Sequence, residues 1–453
     1  MTPNRITGDQ RLTAPHTVQG TLANGARYRV DWPTEWNRTL LIYSRPIPVG
    51  PDDPPWNDDD SMIHAMVDAG YAVAGAANTI FWPLELSFAS IEPLVDAAVE
   101  AAGRPRYTIG FGFSIGGIIT AGIVQRFPGL LSGALPMCGN VAGAVAIHNR
   151  ELDVSFVVKT LLAPDSELEL VHITDADANL ERAQEVLTEA RATPQGRARL
   201  ALAATVGSMP GWHDAVTPEP EPHDIEARFN NQLAWYDQVS FLVYFWAREQ
   251  VERQAGGNPS WNTDTDYAQL LRDSVSRDIA ETLYETAGLS LADDLATLAS
   301  VPRITADPSA VEYMERHIVF DGDLGGVPVL TIHTDGDGLV IPDNEEAYRD
   351  VVHAAGNGDL LRQIAIHRGG HCSFTSAEVM VALGALVSRL EGGEWPDLAS
   401  ATLNAAADAS PSNLRALREG EPMAAAFFDY EPPPFSRQYD ARDVRRRTSG
   451  EGQ

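Results

Sequence analysis

Lysine occurs once in this chain of 453 residues, at Lys159. The 33 basic residues are therefore almost all arginine, and against 63 acidic ones they leave a net charge of −30. A field of that sign repels phosphate backbones and anionic headgroups, so neither nucleic acid nor a membrane surface is expected as a partner. Two origins fit the acidity: a halophile's surface, or a GC-rich genome that writes arginine for lysine. The second explains the missing lysine as well. Cysteine is also scarce. Cys138 and Cys372 are too few for a disulfide scaffold or a zinc knuckle, and no metal or other cofactor is expected. No apolar run approaches the roughly 20 residues that span a bilayer. The opening MTPNRITGDQRLTAPHTVQG lacks the apolar centre of a secretory signal, which makes the cytoplasm the default expectation. The oligomeric state stays open, a homodimer included.

What remains is 44% hydrophobic and 21% charged, an ordinary globular composition. At about 150 residues per domain, the length allows two or three domains, or one large core with an insertion. Strand-like runs at residues 17–23 and 26–32 flank Asn24-Gly25, a hairpin signal. Nearly continuous apolar runs follow at 39–44, 71–77, 107–112 and 131–138, as expected of strands buried on both faces. Helical stretches near 61–69, 91–102 and 115–127 separate them. The alternation resumes with strands at 327–334 and 361–367 around a helix at 344–355. A last helix opens at Thr375, which forms a capping box with Glu378. The fold class is therefore α/β, with a mostly parallel sheet and helices on both faces.

Between 141 and 320 the pattern turns helical, with stretches at 180–191, 195–206, 232–254 and 267–287. This predicts a helical cap inserted between core segments 1–140 and 321–400. Residues 401–453 form a turn-rich C-terminal extension, with 441–453 expected to fray.

The chemistry concentrates in Gly112-Phe113-Ser114-Ile115-Gly116, a G-x-S-x-G set directly after one predicted strand and before a helix. Such a turn is tight, and glycines two residues either side remove side chains that would collide, leaving the serine hydroxyl exposed at a helix start. A serine hydroxyl needs a base and an orienting acid. Of 11 histidines, only His371 sits in a loop just past a predicted strand, within Arg368-Gly369-Gly370-His371-Cys372. His333 and His367 fall in or at the end of strands and read as structural. Asp337 follows the 327–334 strand, with Asp335 the alternative acid. A calcium loop there lacks the further oxygen ligands it needs.

These motifs, in the order Ser114, Asp337, His371, resemble those of α/β-hydrolase-superfamily serine hydrolases of the esterase/lipase type. The resemblance covers about 20–140 and 320–395. It implies the α/β-hydrolase fold and cleavage of an ester or lactone of a small organic substrate through an acyl-enzyme on Ser114. It also implies an oxyanion hole with the Ile115 N–H as one donor. The family's usual His-Gly loop is here Arg45-Pro46, which points to Ile47, or Arg45, as the second. Arg45 is also a candidate partner for a substrate carboxylate. Trp82, Trp235 and Trp246 are candidate pocket walls, with packing between cap and core as the competing role for the last two. An acyltransferase, peptidase, lyase or cyclase on the same fold, or a non-catalytic binding protein, are the alternatives. Tannase-like and feruloyl-esterase-like proteins carry a disulfide beside the catalytic histidine, with one cysteine directly after it, as Cys372 is. Their second cysteine precedes the nucleophile, where this chain has Phe113. A Cys138–Cys372 bridge and two buried thiols both stay open.

Overall fold

The computed structural model describes residues 16–417 and 420–449. Residues 1–15 of the expected first core segment and 450–453 of the expected frayed end lie outside these. Nine strands form one sheet: β1 (His16–Thr21), β2 (Arg27–Trp32), β3 (Thr39–Ser44), β4 (Ala72–Ala76), β5 (Tyr107–Phe113), β6 (Gly133–Met137), β7 (Val329–Gly336), β8 (Leu361–Gly369) and β9 (Phe427–Phe428). Their order is β1-β2-β4-β3-β5-β6-β7-β8-β9. From β4 to β8 across the sheet, all neighbours run parallel; β1, β2 and β9 pair antiparallel. This is the α/β-hydrolase arrangement.

Each central strand feeds two cores, as the two-residue period of a strand requires. Leu40, Ile42, Ala72 and Ala74 face one layer, with the helices Leu84–Ala102 and Ile115–Arg126. Leu41, Val73, Ile109 and Phe111 face the other, with Ser61–Asp68 and Ser376–Gly392. Thr375 and Glu378 close the capping box at the start of the last helix.

The chain between β6 and β7 contains no strand. Its helices gather a core of their own around Phe229, Trp235, Tyr236, Phe241 and Phe245. Four local expectations need correction. The helix expected at 267–287 is two, Tyr267–Asp273 and Arg277–Ala287, broken where Ser274 is extended and Thr205 donates to the Ser276 carbonyl. The stretch expected at 232–254 begins as Ile225–Trp235 and passes through two π-helical turns, Tyr236–Ser240 and Val243–Ala247. It ends as Arg248–Ala255, with Gly256 left-handed. A further helix, Ala144–Leu162, escaped the pattern because 15 of its 19 residues are buried, leaving no polar stripe to reveal it. Finally, Ala441–Ser449 is helical rather than frayed: Arg447 pairs with Glu315, and Val444 packs on the core.

Candidate active site

Ser114 stands between β5 and the helix Ile115–Arg126 at φ 57°, ψ −122°, a conformation that few non-glycine residues adopt. The flanking glycines make it possible. A Cβ on Gly116 would lie 2.0 Å from the Ser44 carbonyl oxygen, and one on Gly112 would lie 2.5 Å from the Gly116 oxygen. Ile115 is the first residue of its helix, so its N–H has no carbonyl a turn earlier to bind.

His371 follows β8 and meets Asp337, which follows β7. Their Nδ1 and Oδ2 are 2.6 Å apart. Asp337 is fully buried, and its other oxygen accepts from the N–H groups of Leu339 and Val340, both at 3.0 Å. Burial pushes its carboxyl up, but His371 and His333 outweigh this and hold it below the usual carboxylate range. Asp335 instead accepts from His367 at 2.7 Å and from the Arg368 N–H at 3.0 Å. Among the described residues no hydrogen bond joins Ser114 to His371, whose Nε2 lies 3.4 Å from the Cys372 sulfur.

Cys138, just past β6, and Cys372 form a disulfide with Cα atoms 5.5 Å apart. It ties the His371 loop to the sheet edge that carries Ser114. Phe113 occupies the position before Ser114 and stacks on Phe374. The two sulfurs and His371 cluster within 4.8 Å, but sulfurs bonded to each other offer no thiolate to a metal.

A recess of about 50 Å³ beside Ser114 is walled by Phe81, Trp82, Ile115, Val243, Leu339 and Val340, with Asn140, His148, Glu151, Arg248 and Val251 completing its lining. A larger crevice, about 340 Å³, lies between β8 and residues 427–432; Ser114, Asp337 and His371 do not line it.

Of the expected substrate-binding residues, Trp82 lines the recess and Arg45, Trp235 and Trp246 do not; Ile47, expected as an oxyanion donor, does not line it either. Arg45 spends its guanidinium on the carbonyls of Ile47 and Pro55, which leaves the expected carboxylate role without support. Ile47 is 64% exposed. Trp235 is buried against Gly338, next to Asp337, and donates to the Trp212 carbonyl. Trp246 reaches outward to Asp177 at 2.7 Å. The π-helical turns account for the change of face. Each widens its turn by about one residue, so Val243 meets the recess and Trp246 is carried away from it.

The sequence reasoning missed Asn140, His148, Glu151 and Arg248. One signal was available: His148 and Glu151 stand three apart, the spacing of neighbours on a helix face. Their Nδ1 and Oε2 are 2.7 Å apart.

Residues 27–230 match the model of a tannase-like family of unknown function (DUF6351), a span that holds Ser114 and the recess residues up to His148 and Glu151. The o-phthalyl amidase of Xanthobacter agilis is 30% identical over 427 residues, covering 88% of this chain and 92% of that protein. The chain belongs to the family of that amidase. Among solved structures, feruloyl esterase B from Aspergillus oryzae is similar at 15% identity and a TM-score of 0.45, over 84% of this chain and 81% of that one. The rice cell wall degrading esterase LipA from Xanthomonas oryzae gives 11% and 0.37, over 83% and 89%. Within the described residues, no helix of this family member is long and apolar enough to cross a membrane.

Proposed function

We propose that this protein is a serine hydrolase that cleaves a carboxylic ester or amide of a small aromatic acid through an acyl-enzyme on Ser114. The observation that carries the reading is the 2.6 Å Asp337–His371 contact on the sheet edge where the strained Ser114 turn stands. Asp337 holds the Nδ1–H tautomer of His371, so Nε2 is the base that takes the Ser114 proton. The alkoxide adds to the carbonyl carbon, and the Ile115 N–H receives the developing oxyanion. The same proton then passes to the leaving alcohol or amine. Water repeats the steps in reverse and frees the acid. The Ser114–His371 hydrogen bond that this step needs is of a kind often long until substrate binds.

The amide alternative rests on the relative named o-phthalyl amidase, and the aromatic acyl group on the same name together with the Phe81 and Trp82 walls. In this reading residues 141–320 act as a cap over Ser114, because Val243, Arg248 and Val251 reach the recess from that segment. The test is a fluorophosphonate probe followed by peptide mass mapping, with aryl esters and anilides as substrates. Label on Ser114, and loss of turnover in Ser114→Ala, are expected. Turnover persisting within tenfold in that variant overturns the assignment.

A further inference from the structure

The sulfurs of Cys138 and Cys372 and a ring nitrogen of His371 lie within 4.8 Å of one another, on the sheet edge that carries Ser114. Thiolate and imidazole are groups that zinc prefers, and the bond between the two sulfurs is what withholds them from a cation. A tetrahedral zinc with bonds of about 2.3 Å to sulfur and about 2.0 Å to nitrogen sets neighbouring ligand atoms roughly 3.6–3.8 Å apart. His371 Nε2 and Cys372 Sγ already stand at 3.4 Å. The two sulfurs, once unbonded, need to part to about 3.8 Å. With Cα atoms 5.5 Å apart, rotation about the Cα–Cβ bonds achieves this and leaves the backbone in place.

The surroundings prepare the three groups for an ion. The 2.6 Å contact between His371 Nδ1 and Asp337 Oδ2 keeps the proton on Nδ1 and leaves the Nε2 lone pair free, the carboxylate–imidazole pairing found behind metal-bound histidines. The backbone around both cysteines is fastened by bonds that involve no sulfur. The Cys138 N–H donates to the Ile332 carbonyl at 2.8 Å, and the Phe374 N–H to the Cys372 carbonyl at 2.9 Å. Thr334 Oγ1 donates to the Gly370 carbonyl at 2.8 Å, and Arg368 to the Ser373 carbonyl at 2.7 Å. The three groups therefore stay neighbours when the bridge opens. Cys138 is buried, but His371 and Cys372 are partly exposed, which gives an ion its entrance. A net charge of −30 raises the concentration of cations at the surface.

We propose that reduction of the Cys138–Cys372 bridge creates a zinc site whose ligands are Cys138, Cys372 and His371, with water in the fourth position. A dithiol supplies two electrons and two protons: it closes to its own disulfide, and the bridge opens to two thiols. Zn²⁺ then displaces both thiol protons to solvent and binds the two thiolates and Nε2. The ion acts here as an inhibitor and not as a cofactor. The inhibition rests on the Ser114 acyl-enzyme reading, in which Nε2 is the base; the zinc binding does not.

The test is calorimetric titration with zinc chloride of protein reduced by a trialkylphosphine, which takes up the oxygen of water and binds zinc weakly. One ion per chain at a Kd below about 1 µM is expected. Oxidised protein should bind at least about 100-fold more weakly. Cys138→Ser, Cys372→Ser and His371→Gln should each weaken binding to the reduced protein at least about tenfold. Fluorophosphonate labelling of reduced wild-type protein should vanish at saturating zinc and return with EDTA. Equal binding in the two redox states overturns the proposal, as does full affinity in His371→Gln; labelling that persists at saturating zinc overturns the inhibition. Unfolded chains with free cysteine and histidine also bind zinc, so circular dichroism is read on the reduced protein, and loss of its folded signal overturns the proposal too. Labelling of oxidised protein without zinc reports on Ser114 alone. Its failure sinks the acyl-enzyme reading and leaves the zinc binding standing, and the reverse also holds.

Discussion

His333 Nε2 lies 3.6 Å from Asp337 Oδ2, the same oxygen that faces His371. The imidazole sits between two acceptors: its Nδ1 is 2.9 Å from Glu345 Oε1 and its Nε2 is 2.8 Å from the Val340 carbonyl. A neutral ring has one N–H and cannot donate to both, so the geometry calls for the doubly protonated form. Burial works against that charge, but the bonds to Asp337 and Glu345 prevail and the pKa is pushed up to about 10. A buried imidazolium thus stands behind the carboxylate that contacts His371. Glu345 is fixed in turn by Thr331 and Gln363.

This makes stability depend on pH in a defined direction. The folded pKa of His333 is above the unfolded value near 6.5, so its stabilisation is complete below about pH 6.5 and lost as pH rises toward 10. Chemical unfolding from pH 7 to 10 should show a falling midpoint. His333→Gln leaves Asp337 and Glu345 without their shared cation and should cost about 3–5 kcal/mol at pH 7, with a flatter slope. A parallel slope in that variant assigns the pH dependence elsewhere.

The two aspartates of the acid loop should separate cleanly. Asp337→Asn removes the partner of His371 and should lower kcat by about 10³–10⁴-fold, with KM little changed. Asp335→Asn affects the contact with His367 and the Arg368 N–H, and should leave kcat within about tenfold. Steady-state rates on one aryl ester decide it, and the reverse ranking would move the acid to Asp335.

The Cys138–Cys372 bridge closes a loop with a sequence separation of 234 and anchors the residue after His371. Its removal in Cys138→Ser/Cys372→Ser should destabilise the protein by about 2–4 kcal/mol. The His371 loop gains freedom, so kcat should fall more than affinity for the acid product. Denaturant melts and product-inhibition constants measure the two effects. Unchanged stability in the double variant would show that the bridge adds no constraint.

Two glycine-to-alanine changes should have opposite signs. Gly116→Ala places a methyl 2.0 Å from the Ser44 carbonyl oxygen, where only backbone could yield, so the Ser114 turn should fail to form and probe labelling should vanish. Gly384 lies inside the helix Ser376–Gly392 with nothing within 4 Å of an added Cβ. Gly384→Ala should stabilise by about 0.5–1 kcal/mol, read from the denaturation midpoint.

The features readable from the sequence were those whose cause is local. Apolar runs marked the parallel strands, the Thr375–Glu378 spacing marked a helix start, and Gly112 and Gly116 marked the turn at Ser114, because each follows from backbone geometry within a few residues. Order along the chain put His371 and an acid after β7 at one sheet edge, since both follow neighbouring parallel strands, but left Asp335 beside Asp337; only the tertiary structure turns Asp335 to His367 and Asp337 to His371. Of the recess, only Ser114, Ile115 and Trp82 were readable. The helix Ala144–Leu162 is buried on nearly every side and leaves no periodic trace, so His148 and Glu151 looked like any polar pair. The aromatic-rich stretch from 232 to 254 was legible as helix, but two π-helical turns decided which of its side chains face inward. Whether Cys138 meets Cys372, and whether His333 touches Asp337, depend on strands and loops far apart in sequence, and only the closed sheet brings them together.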